Sequence, residues 1–506
     1  MAKRKNYDSE FCGSLPLNHI NVVQDYGYLL VLSKDQFSIL QLSENASDLF
    51  EKPLKSIPGT LFSDFTDTSI IKSLSERFDQ NSKEKFPLTI TLGSRKMMAL
   101  AHFKPEYIIL EIEKADLPTE HSFTSVYEEV KYAMAAIEAA ETIEYASQAA
   151  IHELRRITGF DGIMMYRFDE DWNGTVIAEE KDAPELEHYL GHTFPGSDVP
   201  RQARDLYLKN PYRLIPDRDF TPVRLYPVMN PVTNTFIDLS DCNLRGVAAV
   251  HLEYLKNMNV QASMSIRVID NGKLWGLIAC HHVRPHYLSF ETGAVCEMLS
   301  SVISNRISSI THKTQYDADS QLQQLQTELI AQTYAKDDLW DGLFDAGEVR
   351  LTDLFKSSGA ATQIGPALRT QGDVPDQDTL ENLFLWLQNK QDGKVFSTDS
   401  LPEVFDEAIP YAKIASGILS IPVNPERGEF IVVFRPEVVR TINWGGDPSK
   451  TINFDPDGKK YHPRASFKLW QETVRNTAAA WTPQEVAAAE NLRAFIFEFN
   501  TKKSRV

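Results

Sequence analysis

Between Ala262 and His282 the chain alternates polar and apolar residues on either side of an Asn-Gly pair. Ser263, Ser265 and Arg267 interleave with Met264, Ile266 and Val268; Asp270-Asn271-Gly272 follows, and Lys273–His282 leads back. Period-two alternation suits a strand with one apolar face, and Asn-Gly tolerates the positive φ angles of a two-residue turn. An antiparallel hairpin is therefore expected, its register pinned by the apolar face. Two serines and an arginine share the opposite face, where they either meet water or line a polar cavity. Any fold for this chain must accommodate that hairpin.

Other segments arrange themselves around it. Residues 1–18 read as an irregular arm. Short apolar runs at Tyr28–Leu32 and Phe37–Leu42, then at Leu88–Leu92 and Tyr107–Glu113, with helical spacing at Ile70–Asp79, describe a small α+β domain ending near Pro118. Residues 126–158 are rich in Ala and Glu, with apolar positions at helical spacing. Phe160–Glu179 reads as strand, turn, strand. From Phe290 to about Leu343 the pattern is again helical, with Leu299, Val302, Ile303, Arg306 and Ile310 on one stripe. A helix of that length joins domains and often packs on a second copy of itself. Residues 345–500 form another α+β domain, interrupted at 435–470 by a Gly- and Pro-containing connection with Trp444-Gly445-Gly446-Asp447-Pro448 and Pro463-Arg464-Ala465-Ser466-Phe467. Long connections of this kind are more often functional than decorative. Thr482-Pro483-Gln484-Glu485 opens a last helix, with Thr as cap and Pro in the first turn; a helix running on to the end suggests a connector to a further module.

At 506 residues the chain is too long for one core. Its 70 acidic and 52 basic residues give −18, which argues against nucleic acid and anionic membrane surfaces as partners. No run of apolar residues is long enough to span a bilayer, and the basic start lacks the apolar stretch of a signal peptide, so a cytoplasmic protein is expected. The cysteines are Cys12, Cys242, Cys280 and Cys296, without Cys-x-x-Cys or regular spacing, so neither a disulfide framework nor a zinc knuckle is suggested. Cys280 and Cys296 lie in apolar segments and should be buried; Cys12, in a polar segment, is the thiol expected to be reachable.

Three positions stand out together. Asp198 lies in Phe194-Pro195-Gly196-Ser197-Asp198-Val199-Pro200, His251 in Val247-Ala248-Ala249-Val250-His251-Leu252-Glu253-Tyr254, and Cys12 in the arm. With Asn257-Met258, Leu274–His282, Trp444-Gly445-Gly446, Pro463–Phe467 and Trp470-Gln471-Glu472, they make the chain resemble the photosensory core of a bacterial phytochrome over nearly its whole length. The resemblance implies three α+β sensor domains with antiparallel sheets, joined by long helices: the arm 1–18, a PAS domain at 19–120, a GAF domain at 126–312 and a PHY domain at 313–506. A tongue at about 435–472 would reach the GAF pocket.

The same resemblance implies a linear tetrapyrrole. Arg213, Arg245, Tyr207, Ser263 and Ser265 would meet its propionates, which could not be buried without cationic or hydroxyl donors. Asp198 and His251 would face the pyrrole nitrogens, with His281, Tyr166 and Tyr254 around the outer ring. Relatives that use phytobilins carry Cys immediately before the GAF histidine; here Val250 stands there, and Cys12 matches the attachment site used with biliverdin. The segment after Cys12, Gly13–Asn21 and Gln24–Gly27, departs from the family pattern and puts the packing of the arm in question. Arg464 is expected to pair with Asp198 in the dark and Ser466 to replace it after illumination. The chain itself is expected to carry no enzyme activity; a homodimer through the long helices and a kinase-type output module in a longer protein are the partners implied.

Competing readings are weaker. A GAF-type cyclic-nucleotide sensor explains a pocket but not Cys12 or the tongue motifs. Gly445-Gly446-Asp447 is followed by Pro448-Ser449, where a diguanylate cyclase needs Glu-Phe. His281 and His282 are adjacent on a strand, so they point to opposite faces and no metal site is expected.

Overall fold

The computed structural model describes residues 17–79, 85–114, 123–345, 348–364, 367–390, 393–450, 452–454, 461–464 and 466–503. Cys12 and most of the arm fall outside them. The chain divides into two compact units, residues 1–310 with 443–470, and 311–442 with 471–506.

The expected hairpin is present. Ala262–Asp270 pairs antiparallel with Lys273–His282, closing at Asp270↔Lys273 with Asn271 and Gly272 both at positive φ, 49° and 74°. Met264, Ile266 and Val268 are fully buried, each contributing about 1.5–3 kcal/mol. The register slips between Val268 and Ile269. There the long helix Phe290–Lys336 intervenes: Ser304 Oγ accepts from Ile269 N at 2.9 Å and Ser300 Oγ donates to Arg267 O at 2.8 Å. The hairpin sits in a sheet ordered Tyr212–Ile215, Ala262–Asp270, Lys273–His282, Gly162–Phe168, Gly174–Lys181, His192–Phe194. Its apolar face closes on Leu299, Ile303 and Ile307 of the long helix and on Ile151 and Leu154, with Cys280 and Cys296 inside that core.

Residues 126–158 are helical as expected, in two helices, Phe123–Ala139 and Ile143–Thr158. Thr142 is the reason: its extended backbone breaks the first helix and its hydroxyl caps the second, accepting from Tyr145 N at 3.3 Å. Likewise the long helix stops at Lys336, short of the expected end, where Asp337 turns to φ 52° and Asp338 caps the backbone N–H groups of Trp340 and Asp341.

The N-terminal sheet runs Val22–Val23, Val223–Tyr226, Ile39–Ser43, Gly27–Ser33, Tyr107–Glu113, Arg95–Phe103, Phe86–Leu92. The strand at Val223–Tyr226 comes from the hairpin domain, so the two domains of this unit share a sheet. Gln24, fully buried, seals the join by donating its amide to Asn243 O at 2.9 Å and Leu214 O at 3.2 Å.

The other unit has a five-stranded sheet, ordered Ala367–Gly372, Gly359–Ile364, Glu429–Arg435, Gly417–Asn424, Phe396–Thr398, with apolar clusters on both faces. Pro483–Lys503 begins as expected with a reciprocal cap: Thr482 Oγ1 accepts from Glu485 N at 3.2 Å and Glu485 Oε2 from Thr482 N at 2.9 Å. No helix is long and apolar enough to cross a membrane among the described residues.

Candidate functional site

Asp198 ends a short 3-10 turn, Gly196–Asp198, between two prolines. Its N–H donates to Pro195 O at 2.9 Å, and the helix Arg201–Lys209 follows at once. A side chain at Gly196 would strike the carbonyl oxygens of Asp171 and Trp172, at 3.0 and 3.1 Å. Arg204 ties the loop down by donating to Val199 O at 2.7 Å, its guanidinium 4.4 Å from the Trp172 ring centre. Sequence reading missed this arginine, although its spacing one helical turn after Pro200 places it back over the loop.

Two groups close on the Asp198 carboxylate. Tyr254 Oη donates to Oδ2 at 2.9 Å, and Arg464 Nη2 forms an ion pair with the same oxygen. The side chains of Arg464 and Asp198 are only 3% and 7% exposed, so the pair is sequestered from water. Burial pushes the Asp198 carboxyl up, with Arg464 and Tyr254 pulling against it. The guanidinium also lies 4.8 Å from the Phe467 ring centre and 5.4 Å from that of Phe194. Ser466 is exposed; its Oγ accepts from Lys468 N at 3.4 Å.

The Trp-Gly-Gly motif sets this approach. Trp444 is buried, and the strand bearing it pairs in parallel with His192–Phe194, Trp444 opposite Thr193. A Cβ at Gly445 would fall 2.9 Å from the Phe194 ring; one at Gly446, φ 102°, would fall 2.4 Å from Ser466 O. Both positions need glycine, one for close approach and the other also for its backbone angle. Ile452–Phe454 and Tyr461–Pro463 pair as an antiparallel ribbon. Arg464 O accepts from Asn257 Nδ2 at 3.2 Å, and His462 Nδ1 lies 2.9 Å from Glu253 Oε2.

His251 and Tyr254 lie one turn apart on the helix Ala249–Asn257, rings stacked with centres 6.1 Å apart. His251 is exposed; desolvation by the surrounding protein, then the charges of Arg213 and Arg245, hold its pKa down to about 4. His281, buried and opposite Ser263 in the hairpin, is held down to about 4 by burial and then by His251. Tyr166 is pushed upward by burial, then by Tyr207 and Asp198. Tyr207 is pushed upward by burial too, with Ser265 pulling against it.

The cationic end is divided. Arg213 spends its guanidinium on the backbone carbonyls of Asn243, Arg245 and Gly246, the last at 3.2 Å, and so holds the 242–246 loop. Arg245 donates to Leu17 O at 2.9 Å, but its buried Nε has no hydrogen-bond partner among the described residues. Burial, then Arg213, pushes Arg245 down to about 9. No carboxylate pairs with either arginine among the described residues. Arg267, on the serine face by sequence, turns instead to Tyr207 O at 3.0 Å and Leu208 O at 2.6 Å. Asp198, His251, His281, Tyr166, Tyr207, Tyr254, Arg213, Arg245, Ser263 and Ser265 thus gather on one side of the sheet, with Arg464 reaching Asp198 from just beyond Tyr461–Pro463.

Family models match along the chain in the order PAS fold at residues 12–115, GAF domain at 142–309 and Phytochrome region at 322–505. Cyanobacterial phytochrome B of Nostoc is 36% identical over 98% of this chain and 67% of its own length. A bacteriophytochrome of Xanthomonas campestris is 30% identical over 97% of this chain and 78% of its own. The chain belongs to the phytochrome family. It is a PAS-GAF-PHY photosensory core, as the sequence motifs imply. The crystal structure of a bacteriophytochrome from R. palustris superposes with a TM-score of 0.82 at 31% identity, covering 97% of this chain and 99% of that one. The phytochrome photosensory core of Stigmatella aurantiaca gives 0.80 at 34%, covering 97% and 98%. The chain spans 67% and 64% of the two Nostoc phytochromes, A being the shorter match. The three-domain α+β architecture expected from sequence is the one these structures share.

Proposed function

We propose that this phytochrome core binds biliverdin through a thioether to Cys12 and switches between red- and far-red-absorbing states. The observation that carries the reading is the Arg245 guanidinium: buried, beside a second arginine, with an orphaned Nε and no carboxylate partner among the described residues. A buried cation with a free donor calls for an anion, and a propionate supplies one. Arg245, with Tyr207, Ser263 and Ser265, would hold that carboxylate; Arg213 would add charge while keeping the loop in place. Asp198, His251 and His281 would supply acceptors to the ring system, and Tyr166 and Tyr254 would bound the ring that turns. Biliverdin rather than a phytobilin is favoured because Val250 precedes His251. The Cys12 thiol would add across a vinyl double bond, sulfur to one carbon and the proton to the other, which requires access more than a catalytic base.

When bound, the bilin supplies the light-absorbing conjugated system and the methine double bond about which light turns one ring. The protein's part lies at Asp198. Its pair with Arg464 is assigned to the resting state, and the switch consists of exchanging Arg464 for Ser466 at that carboxylate while the tongue refolds and its motion passes to the helices leading to an output module. Homodimerisation through the long helices and a kinase-type output belong to the same reading. The test is spectroscopic: mixing the protein with biliverdin should give a red-absorbing adduct that shifts to the far red on illumination, and no light-driven shift would refute it.

A further inference from the structure

Glu111 is an anomaly in an apolar strand. Tyr107–Glu113 is buried from end to end, and Glu111 sits in it at 1% exposure. Its carboxylate accepts Asn243 N–H on both oxygens, at 2.9 and 3.0 Å, and Leu244 N–H on Oε2 at 3.2 Å. His102 Nε2 lies 3.2 Å from Oε1, inside ion-pair range though off the line of a well-directed hydrogen bond. The Cys242 sulfur, fully buried, lies within 4.8 Å of the same carboxylate. Burial alone would push Glu111 up; His102 beside it, then Lys85 and the Leu244 N–H, outweigh it and hold it below the usual carboxylate range. His102, Glu111 and Cys242 present ligand atoms within 4.8 Å of one another, but both carboxylate oxygens are already taken by backbone N–H groups, so the trio is a hydrogen-bond hub rather than a metal centre.

The hub grips one side of a loop whose other side faces the proposed ligand. Residues 242–246 offer N–H groups to Glu111, and their carbonyls accept from Arg213 and from Gln24. Arg245 belongs to that loop. An anion in the N-terminal domain therefore fixes the backbone from which both guanidinium groups of the GAF pocket take their positions. We propose that Glu111 is a positioning residue for carboxylate recognition, setting the placement of Arg213 and Arg245 through the 242–246 loop. This rests on the reading of the arginines as the propionate site.

A test compares biliverdin with its dimethyl ester, whose propionates carry no charge, by titration in the Cys12→Ser background so that binding stays reversible. The parent should prefer the free acid by about tenfold or more. Glu111→Gln, unable to carry the charge that grips both N–H groups, should cut that preference to about threefold or less while ester affinity stays within about twofold. Equal losses for acid and ester would make Glu111 merely structural and overturn the proposal. A parent that shows no preference would instead overturn the propionate reading of Arg213 and Arg245. Should Glu111→Gln fail to fold, His102→Gln removes the partner that keeps Glu111 ionised and is read by the same criterion.

Discussion

A single carboxylate, Asp198, carries two contacts, from Tyr254 and from Arg464. Truncating Arg464 leaves that carboxylate buried without its cation, a loss of roughly 3–5 kcal/mol in comparable buried pairs. Arg464→Ala should therefore leave pigment attachment intact, destabilise the resting state, and slow thermal return from the light-formed state at least about tenfold. Ser466→Ala should act in the opposite sense, because Ser466, exposed here, is the residue proposed to take the place of Arg464. Return kinetics after a red flash measure both; equal kinetics in all three proteins would show that Asp198 is not the switching contact. His281 supplies a pH test in the bilin-free protein. Its folded pKa, about 4, lies below the ordinary histidine value of 6.5, so the folded state prefers the neutral ring. The stability this represents is complete above pH 6.5 and is lost as pH falls from there toward 4. Denaturant midpoints at pH 7.5 and 5 should show the wild type losing on the order of 2 kcal/mol more than His281→Gln. Parallel losses would contradict the assignment of a buried neutral imidazole.

At the scale of elements, the tongue's geometry depends on Gly446. Its φ of 102° strains any L side chain, and an added Cβ would fall 2.4 Å from Ser466 O. Gly446→Ala should cost the resting tongue roughly 1–3 kcal/mol, read as faster amide exchange at 461–464 without loss of the hairpin core. Unchanged protection would mean the tongue is held elsewhere. The hairpin itself was plain in the sequence, because Asn271-Gly272 and the apolar triad Met264, Ile266 and Val268 each specify the same register. The Asp198 loop, the His251 segment and the Trp-Gly-Gly and Pro463–Phe467 segments were legible as motifs, but the helix that carries His251, a segment that reads as a lead into a sheet, was not. What they did not reveal was division of labour. Arg213 and Arg245 look equivalent in sequence, but which one spends its donors on carbonyls depends on a loop fold that no periodicity encodes. Arg267 shares the serine face by alternation, yet its long side chain reaches the carbonyls of Tyr207 and Leu208. The break at Ala140–Thr142 was hidden because helical spacing continues across it; only the Thr142 cap marks it. Glu111 left a signal, a charge within Tyr-Ile-Ile-Leu-Glu-Ile-Glu, but its partners lie far along the chain, where sequence spacing says nothing.

For the whole molecule, the fold puts chemistry from distant parts of the sequence within hydrogen-bond range. Glu111 meets Asn243, Tyr254 meets Asp198, and Arg464 reaches the same carboxylate from beyond the second domain. Such sharing of sites among segments accompanies relatives that align along nearly the full chain rather than over the GAF domain alone. It also predicts that a chain cut after Ile310 should still take up biliverdin but lose the resting-state contact at Asp198, so its return kinetics should resemble those of Arg464→Ala. The central claim is that Cys12 and the GAF pocket together make a biliverdin photoreceptor, and one measurement addresses it most directly. Absorption spectra of the protein and of Cys12→Ala, each mixed with biliverdin, are recorded before and after red light, and each pigment is then challenged by denaturation. The wild type should form a red-absorbing pigment that shifts to the far red on illumination and stays attached in denaturant, whereas Cys12→Ala should release its pigment. A denaturation-resistant pigment on Cys12→Ala, or a wild-type spectrum unmoved by red light, would contradict the account.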